Sequence, residues 1–145
     1  MGVFAVMAVL LFTASAPIES TIFATTSIDA TIGWFCGLSS NFFCVEMKIY
    51  ELDPISSNDL LAKRSMCIKP QGLKWNQTAK FDRIFPGGDD SLHYEILPVI
   101  THNCTTDGKD RCIKPPRAFD VRAMPAQQFN YYTALDNNGY EGRCT

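Results

Sequence analysis

Histidine is scarce in this chain: only His93 and His102 are present, and none precedes residue 93. That leaves few candidates for histidine-based acid–base catalysis and at most two ring nitrogens for a zinc site. Charge of one sign is not gathered anywhere, since 13 Lys and Arg stand against 15 Asp and Glu without a long run of either. The basic stripe that marks a nucleic-acid binder is therefore missing, and no nucleic-acid partner is expected. No stretch beyond the amino-terminal segment stays apolar long enough to cross a bilayer, so no membrane span is expected. No amphipathic helix longer than two turns can be drawn either.

What is present begins with an apolar run from Val3 to Phe12, followed by the small residues Ala14 to Ala16. The run is too short for a membrane anchor and has the form of a secretory signal, although no Lys or Arg precedes it. Cleavage falls between Ser15 and Ser20, which gives a signal peptide over 1–20 and one domain over 21–145. Ten Phe, five Tyr and two Trp supply enough apolar bulk for a packed core. Six cysteines (Cys36, Cys44, Cys67, Cys104, Cys112 and Cys144) all lie downstream of the signal. In a short exported chain an even number reads as a disulfide framework, with fifteen connectivities open. Two glycosylation sequons, at Asn76 (Asn76-Gln77-Thr78) and Asn103 (Asn103-Cys104-Thr105), agree with that compartment. The expected localisation is secreted and extracellular.

Strand signals dominate the rest. In FCVEMKIY, Phe43, Val45, Met47 and Ile49 alternate with Cys44, Glu46, Lys48 and Tyr50, a strand with one buried face. TIGWF (31–35) gives a short strand before it. Asp53-Pro54 and the run Phe85 to Ser91 carry turn chemistry. LHYEILPVIT is apolar on both faces and reads as a strand pair, with Pro98 pointing to an edge position or a bulge. RAFDVRA alternates again, and FNYYTAL with YEGRCT, joined through Asn138-Gly139, reads as a closing hairpin. About seven short strands between turns predict an all-β sandwich. The tetrapeptide Cys-Ile-Lys-Pro occurs twice, at 67–70 and 112–115, without flanking similarity, so it marks strand ends and not a repeat.

The stretch ITHNCTTDGKDRC (100–112) concentrates the residues that could carry chemistry. His102, Cys104 and Cys112, with His93, offer a zinc donor set, but Cys104 and Cys112 stand too far apart for a zinc knuckle. A nucleophilic Cys104 beside His102 needs a free thiolate, which a fully paired cysteine set does not leave. No paired carboxylates have a spacing that fixes an acid–base mechanism, and DNNGYEG (136–142) lacks the ligand alternation of a calcium loop. No catalytic residue, metal site or cofactor is expected.

The ordered series Cys36-Gly37, VEMKIYELD (45–53), NDLLAK (58–63), then THNC (101–104) followed closely by Cys112, resembles the nematode transthyretin-like family. The likeness runs from Thr31 to Cys144. It implies a transthyretin-like, prealbumin-like β-sandwich of antiparallel strands. It also implies a secreted extracellular binding or recognition protein that is not an enzyme. Its partner would be an extracellular protein, a lipid or a small apolar ligand, with ligand-binding residues unassigned. A secreted effector or inhibitor-type module is the alternative, contacting a protein through LDPISSND (52–59) and FPGGDDS (85–91). Transthyretin-fold hydrolases that open hydroxyisourate end in Tyr-Arg-Gly-Ser and use histidines near the amino end. This chain ends YEGRCT and has neither.

The same resemblance implies bridges Cys104–Cys112 and Cys36–Cys144, with Cys44–Cys67 pairing the two remaining cysteines. With Cys104 bonded to Cys112, ITHNCTTDGKDRC becomes a hairpin tip. His102 and Cys104 then share one face, Asn103 takes the other, and a three- or five-residue loop centres on Gly108.

Overall fold

The computed structural model describes residues 26–38, 42–53, 57–68, 76–86 and 92–144. The expected signal segment lies outside the described residues, as do parts of both proposed contact loops (54–56 and 87–91). The described chain forms nine strands and no helix: β1 (Ile28–Phe35), β2 (Phe43–Glu51), β3 (Asp59–Ile68), β4 (Asn76–Ile84), β5 (His93–His102), β6 (Arg111–Ile113), β7 (Phe119–Arg122), β8 (Gln127–Ala134) and β9 (Tyr140–Glu141). They build two sheets. One has three strands in the order β4-β1-β8. The other runs β3-β2-β5-β6-β9, with β7 also on β5. The result is the expected disulfide-stapled, all-β sandwich, with nine strands where about seven were expected. One pairing, β1 with β8, is parallel.

Alternation explains the core. On β2, Phe43, Val45, Met47, Ile49 and Glu51 are buried and the residues between them are only partly so. On β1 the inward set is Ile28, Ala30, Ile32 and Trp34. These meet Ile96 and Ile100 from β5, Phe81 from β4 and Phe129 from β8 in one apolar cluster. Burying side chains from both sheets is the main force that holds the layers together.

LHYEILPVIT defies period two for a simple reason: it is one strand, β5, buried on both faces from Ile96 to His102. A strand in the middle of a sheet and covered on both sides reads as a continuous apolar run. Pro98 is tolerated there because of where its nitrogen faces. Backbone groups on alternate residues of β5 turn toward β2, as Glu95 does in accepting from the Leu52 N–H and as the odd-numbered series then continues. Pro98 belongs to the even series, whose edge is paired by β7 over 93–96 and by β6 over 100–102. The proline sits in the gap between those two short strands, where no donor is needed.

FNYYTAL and YEGRCT do not close a hairpin. β8 lies in the three-stranded sheet and β9 in the six-stranded one, so the Asn-Gly turn carries the chain between layers. Gly139 has φ +96°, and a Cβ there would come within 2.4 Å of the Cys112 carbonyl oxygen. Only glycine fits such a crossing.

The disulfides correct the expected pairing. Cys44–Cys67 forms as expected, between residues directly opposite each other on β2 and β3. The other two bridges are Cys36–Cys104 and Cys112–Cys144, so Cys104–Cys112 and Cys36–Cys144 do not form. The ladder supplies the reason. Cys112 stands opposite Thr101, and the last β5–β6 pair is His102 with Arg111. The connection therefore spans residues 103–110, longer than a three- or five-residue loop, and Cys104 is already beyond the sheet. There it meets Cys36, which leaves β1 of the opposite layer at the same end. The repeated Cys-Ile-Lys-Pro also gains a local explanation. In both copies the Ile reaches the core and the Cys bonds elsewhere, and Pro115 follows the end of β6.

A cross-linked loop platform as candidate recognition site

Three connections gather at the end of the sandwich where β1, β5 and β8 finish. They are the start of the β1–β2 segment (36–38), the β5–β6 loop (103–110) and the turn after β8 (135–139). The Cys36–Cys104 bridge ties the first to the second. Asp136 ties the third to the first, accepting from the backbone N–H groups of Gly37 (2.5 Å) and Leu38 (3.0 Å). Asn137 ties the third to the second: its Oδ1 accepts from the Thr106 N–H at 2.8 Å, and its own N–H donates to the Cys104 carbonyl at 3.1 Å. Asn103 closes the set, with Oδ1 accepting from the Cys44 N–H at 2.6 Å. The residues of DNNGYEG thus act as fasteners between loops, and each Asp or Asn oxygen named here already has a backbone partner.

His102 anchors the platform from below. It is 1% exposed. Nδ1 accepts from the Cys104 N–H at 3.2 Å, which leaves Nε2 to donate to the Asn138 carbonyl at 3.0 Å. Both contacts need the neutral ring with its proton on Nε2. Burial accordingly pushes the His102 pKa below its ordinary value, against the opposing pull of the Asn138 carbonyl. At the loop's exposed side, the Lys109 backbone N–H bonded to Asp107 holds that carboxyl below its usual range, with Arg111 nearby.

The platform carries apolar side chains outward. Phe42 is 63% exposed, with Leu38 and Phe35 both well exposed. A depression of about 160 Å³ lies between Cys36, Leu38, Phe42, Asn103 and Gly108. Exposed aromatic side chains on loops held by a rigid scaffold are the ordinary equipment of a recognition surface.

The sequence-derived chemical candidates are not brought together. His93 and His102 sit at opposite ends of β5, roughly 30 Å apart at strand rise. Cys104 and Cys112 belong to different disulfides. Cys36, Cys104 and Asp136 do cluster, but both sulfurs are oxidised, and the Cys104 Sγ lies 3.8 Å from Asp136 as a contact with no thiol proton to donate. No free cysteine exists among the described residues. Of the two sequons, Asn76 is the first residue of β4, and Asn103 is half-buried in the Cys44 contact.

The contact loops expected from sequence, LDPISSND and FPGGDDS, leave from the other end of the sandwich. Phe85, the first residue of FPGGDDS, is exposed there, as are Leu92 and Met124 nearby. The platform at 36–38, Phe42 and 103–110 was not expected as a surface. One signal for it was present: Phe42 and Phe43 are adjacent, and strand alternation can bury only one of them.

The chain belongs to a nematode family described as Caenorhabditis elegans protein of unknown function (DUF870), whose model matches residues 32–145. No curated protein and no solved structure gives a significant match.

Proposed function

We propose that the chain is a secreted, non-enzymatic binding protein of transthyretin-like type, which recognises an extracellular protein partner through the cross-linked loop platform. The observation that carries this reading is Phe42, largely exposed just ahead of β2 and lining one depression with Leu38, whose backbone is held by Asp136 beside the Cys36–Cys104 bridge. A side chain so placed gives up little conformational freedom on binding, because its backbone is already held. Secretion is supported by the amino-terminal apolar run and by three disulfides, which persist in oxidising compartments. The transthyretin-like assignment is supported by the ordered sequence motifs and by the two-layer β architecture.

The test uses full-length protein expressed in a eukaryotic secretory host and immobilised for capture from nematode extracellular fluid. Wild type and Leu92→Ser are expected to retain the same protein, and Leu38→Ser/Phe42→Ser to lose it. Equal capture by all three proteins rejects the platform. Opening of hydroxyisourate above background rejects the non-enzymatic reading, and failure to reach the medium rejects secretion.

A further inference from the structure

The outer face of the three-stranded sheet has a gap and a shelf. Gly33 lies on β1 at a point where a Cβ would stand 2.3 and 2.4 Å from ring carbons of Tyr132. The Tyr132 ring therefore lies across the glycine backbone and buries it, an aromatic cover of the kind that pins strand register. Its other side stays in solvent, at 66% exposure. Phe35, two residues along β1, is also exposed. Together with Gly33, Gln77 and Thr78 the two rings border a groove of about 390 Å³.

Gln77 and Thr78 are the second and third residues of the Asn76 sequon. The β1–β4 ladder sets Thr78 opposite Gly33 and Asn76 opposite Phe35. A glycan on Asn76 therefore starts within one cross-strand spacing of the shelf. We infer that the groove is the resting place of that N-linked glycan, with the first N-acetylglucosamine packed on Phe35 and Tyr132. The fit is chemical as well as positional. A pyranose presents an apolar C–H face to an aromatic ring and hydroxyls at its rim, and the groove offers two rings with Thr78 beside them. Covalent attachment supplies the high effective concentration that a shallow groove needs for occupancy. β4 is also an edge strand of its sheet, and a glycan at its first residue shields that edge from pairing with another chain. Asn103 does not compete for this groove, because it lines the separate depression beside Cys36 and Leu38.

The inference rests on the secretory reading above, and the experiment separates the two. Full-length wild type and Asn76→Gln are produced in a eukaryotic secretory host, trimmed with an endoglycosidase to one N-acetylglucosamine, and compared by thermal midpoint with and without Phe35→Ser. The glycosylated wild type is expected to melt several degrees above Asn76→Gln, and that difference is expected to vanish in the Phe35→Ser background. Nuclear Overhauser contacts between the N-acetyl methyl and the Phe35 or Tyr132 ring protons give a readout that needs no variant. Occupied Asn76 without ring contacts, and with a midpoint difference that survives Phe35→Ser, overturns the inference and leaves secretion intact. Exported protein with Asn76 unmodified also overturns it. A chain that is not exported overturns the secretory reading and takes the inference with it.

Discussion

The two ends of this sandwich expose similar residues and differ in how they are cross-linked. Both expose large apolar side chains: Phe42 and Leu38 at one end, Phe85, Leu92 and Met124 at the other. At the first end the loops are bonded to one another by a disulfide, by two Asx side chains reaching backbone amides, and by a buried histidine below. At the second, the described contacts are hydrogen bonds: the Ala123 N–H donates to the Leu92 carbonyl, the Gln127 N–H to the Ser27 carbonyl, the Leu52 N–H to the Glu95 carbonyl and the Arg83 N–H to the Asp29 carboxylate. Exposed apolar area is the same kind of feature in both places, and the difference is covalent: all three disulfides lie toward the first end.

The largest expected effect comes from cutting the scaffold. Cys36→Ala/Cys104→Ala removes a cross-link whose ends lie 68 residues apart in sequence, worth about 4 kcal/mol in the chain-entropy model. Cys44→Ala/Cys67→Ala opens a loop of separation 23 between strands already paired along their length, and should cost less, about 3 kcal/mol. Urea midpoints of the two double variants check the order. Equal losses would mean that the platform depends no more on its bridge than the hairpin does.

Gly139→Ala comes next. A positive φ and a methyl group 2.4 Å from the Cys112 carbonyl oxygen force the turn between layers to shift, at a cost of about 2 kcal/mol or more. Gly108, also at positive φ but with open space around its would-be Cβ, should lose only about 1 kcal/mol on the same change. Thermal melts of both variants compare the two glycines directly.

A smaller effect is expected from pH. The folded-state pKa of His102 is depressed by burial, so below pH about 6.5 the unfolded chain binds the proton that the folded chain refuses. Stability is complete above that pH and falls as pH drops toward the folded-state value, because a proton on Nδ1 would confront the Cys104 N–H. In His102→Gln this fall should disappear from chemical denaturation curves taken between pH 7 and pH 5. Persistence of the full slope would assign it to other groups. Glu46, whose carboxyl is held low first by its hydrogen bond from Lys63, acts in a lower window, losing its contribution as pH falls from about 4.5.

The smallest change in stability belongs to the surface itself. Phe42→Ser and Leu92→Ser are each expected to stay within about 0.5 kcal/mol of wild type. A large loss at Phe42 would show that the ring supports the fold, and would weaken the case for it as a contact residue.

Much of the architecture was legible from residue order. Strict alternation in FCVEMKIY fixed β2 and its inward face, and turn chemistry bounded most strands. Where the reading failed, the cause was tertiary. Period two vanishes in β5 because both its faces are covered, and no local pattern says so. Asn138-Gly139 has the same chemistry whether it joins two paired strands or carries the chain between sheets. The platform was the least legible part, because it is made of three segments that meet only when β1, β5 and β8 end together.

By itself, then, the sequence determined an all-β chain with a disulfide framework, a buried face on β2, and turns where Gly, Asn, Asp and Pro cluster. These follow from local sterics and from the period of apolar residues. Only the tertiary structure decided that Cys104 bonds to Cys36 and Cys112 to Cys144, because sulfur partners are chosen by which strand ends converge in space. The same convergence turned His102 from a possible ligand or base into a buried, neutral fastener, with both ring nitrogens engaged by backbone from two different loops.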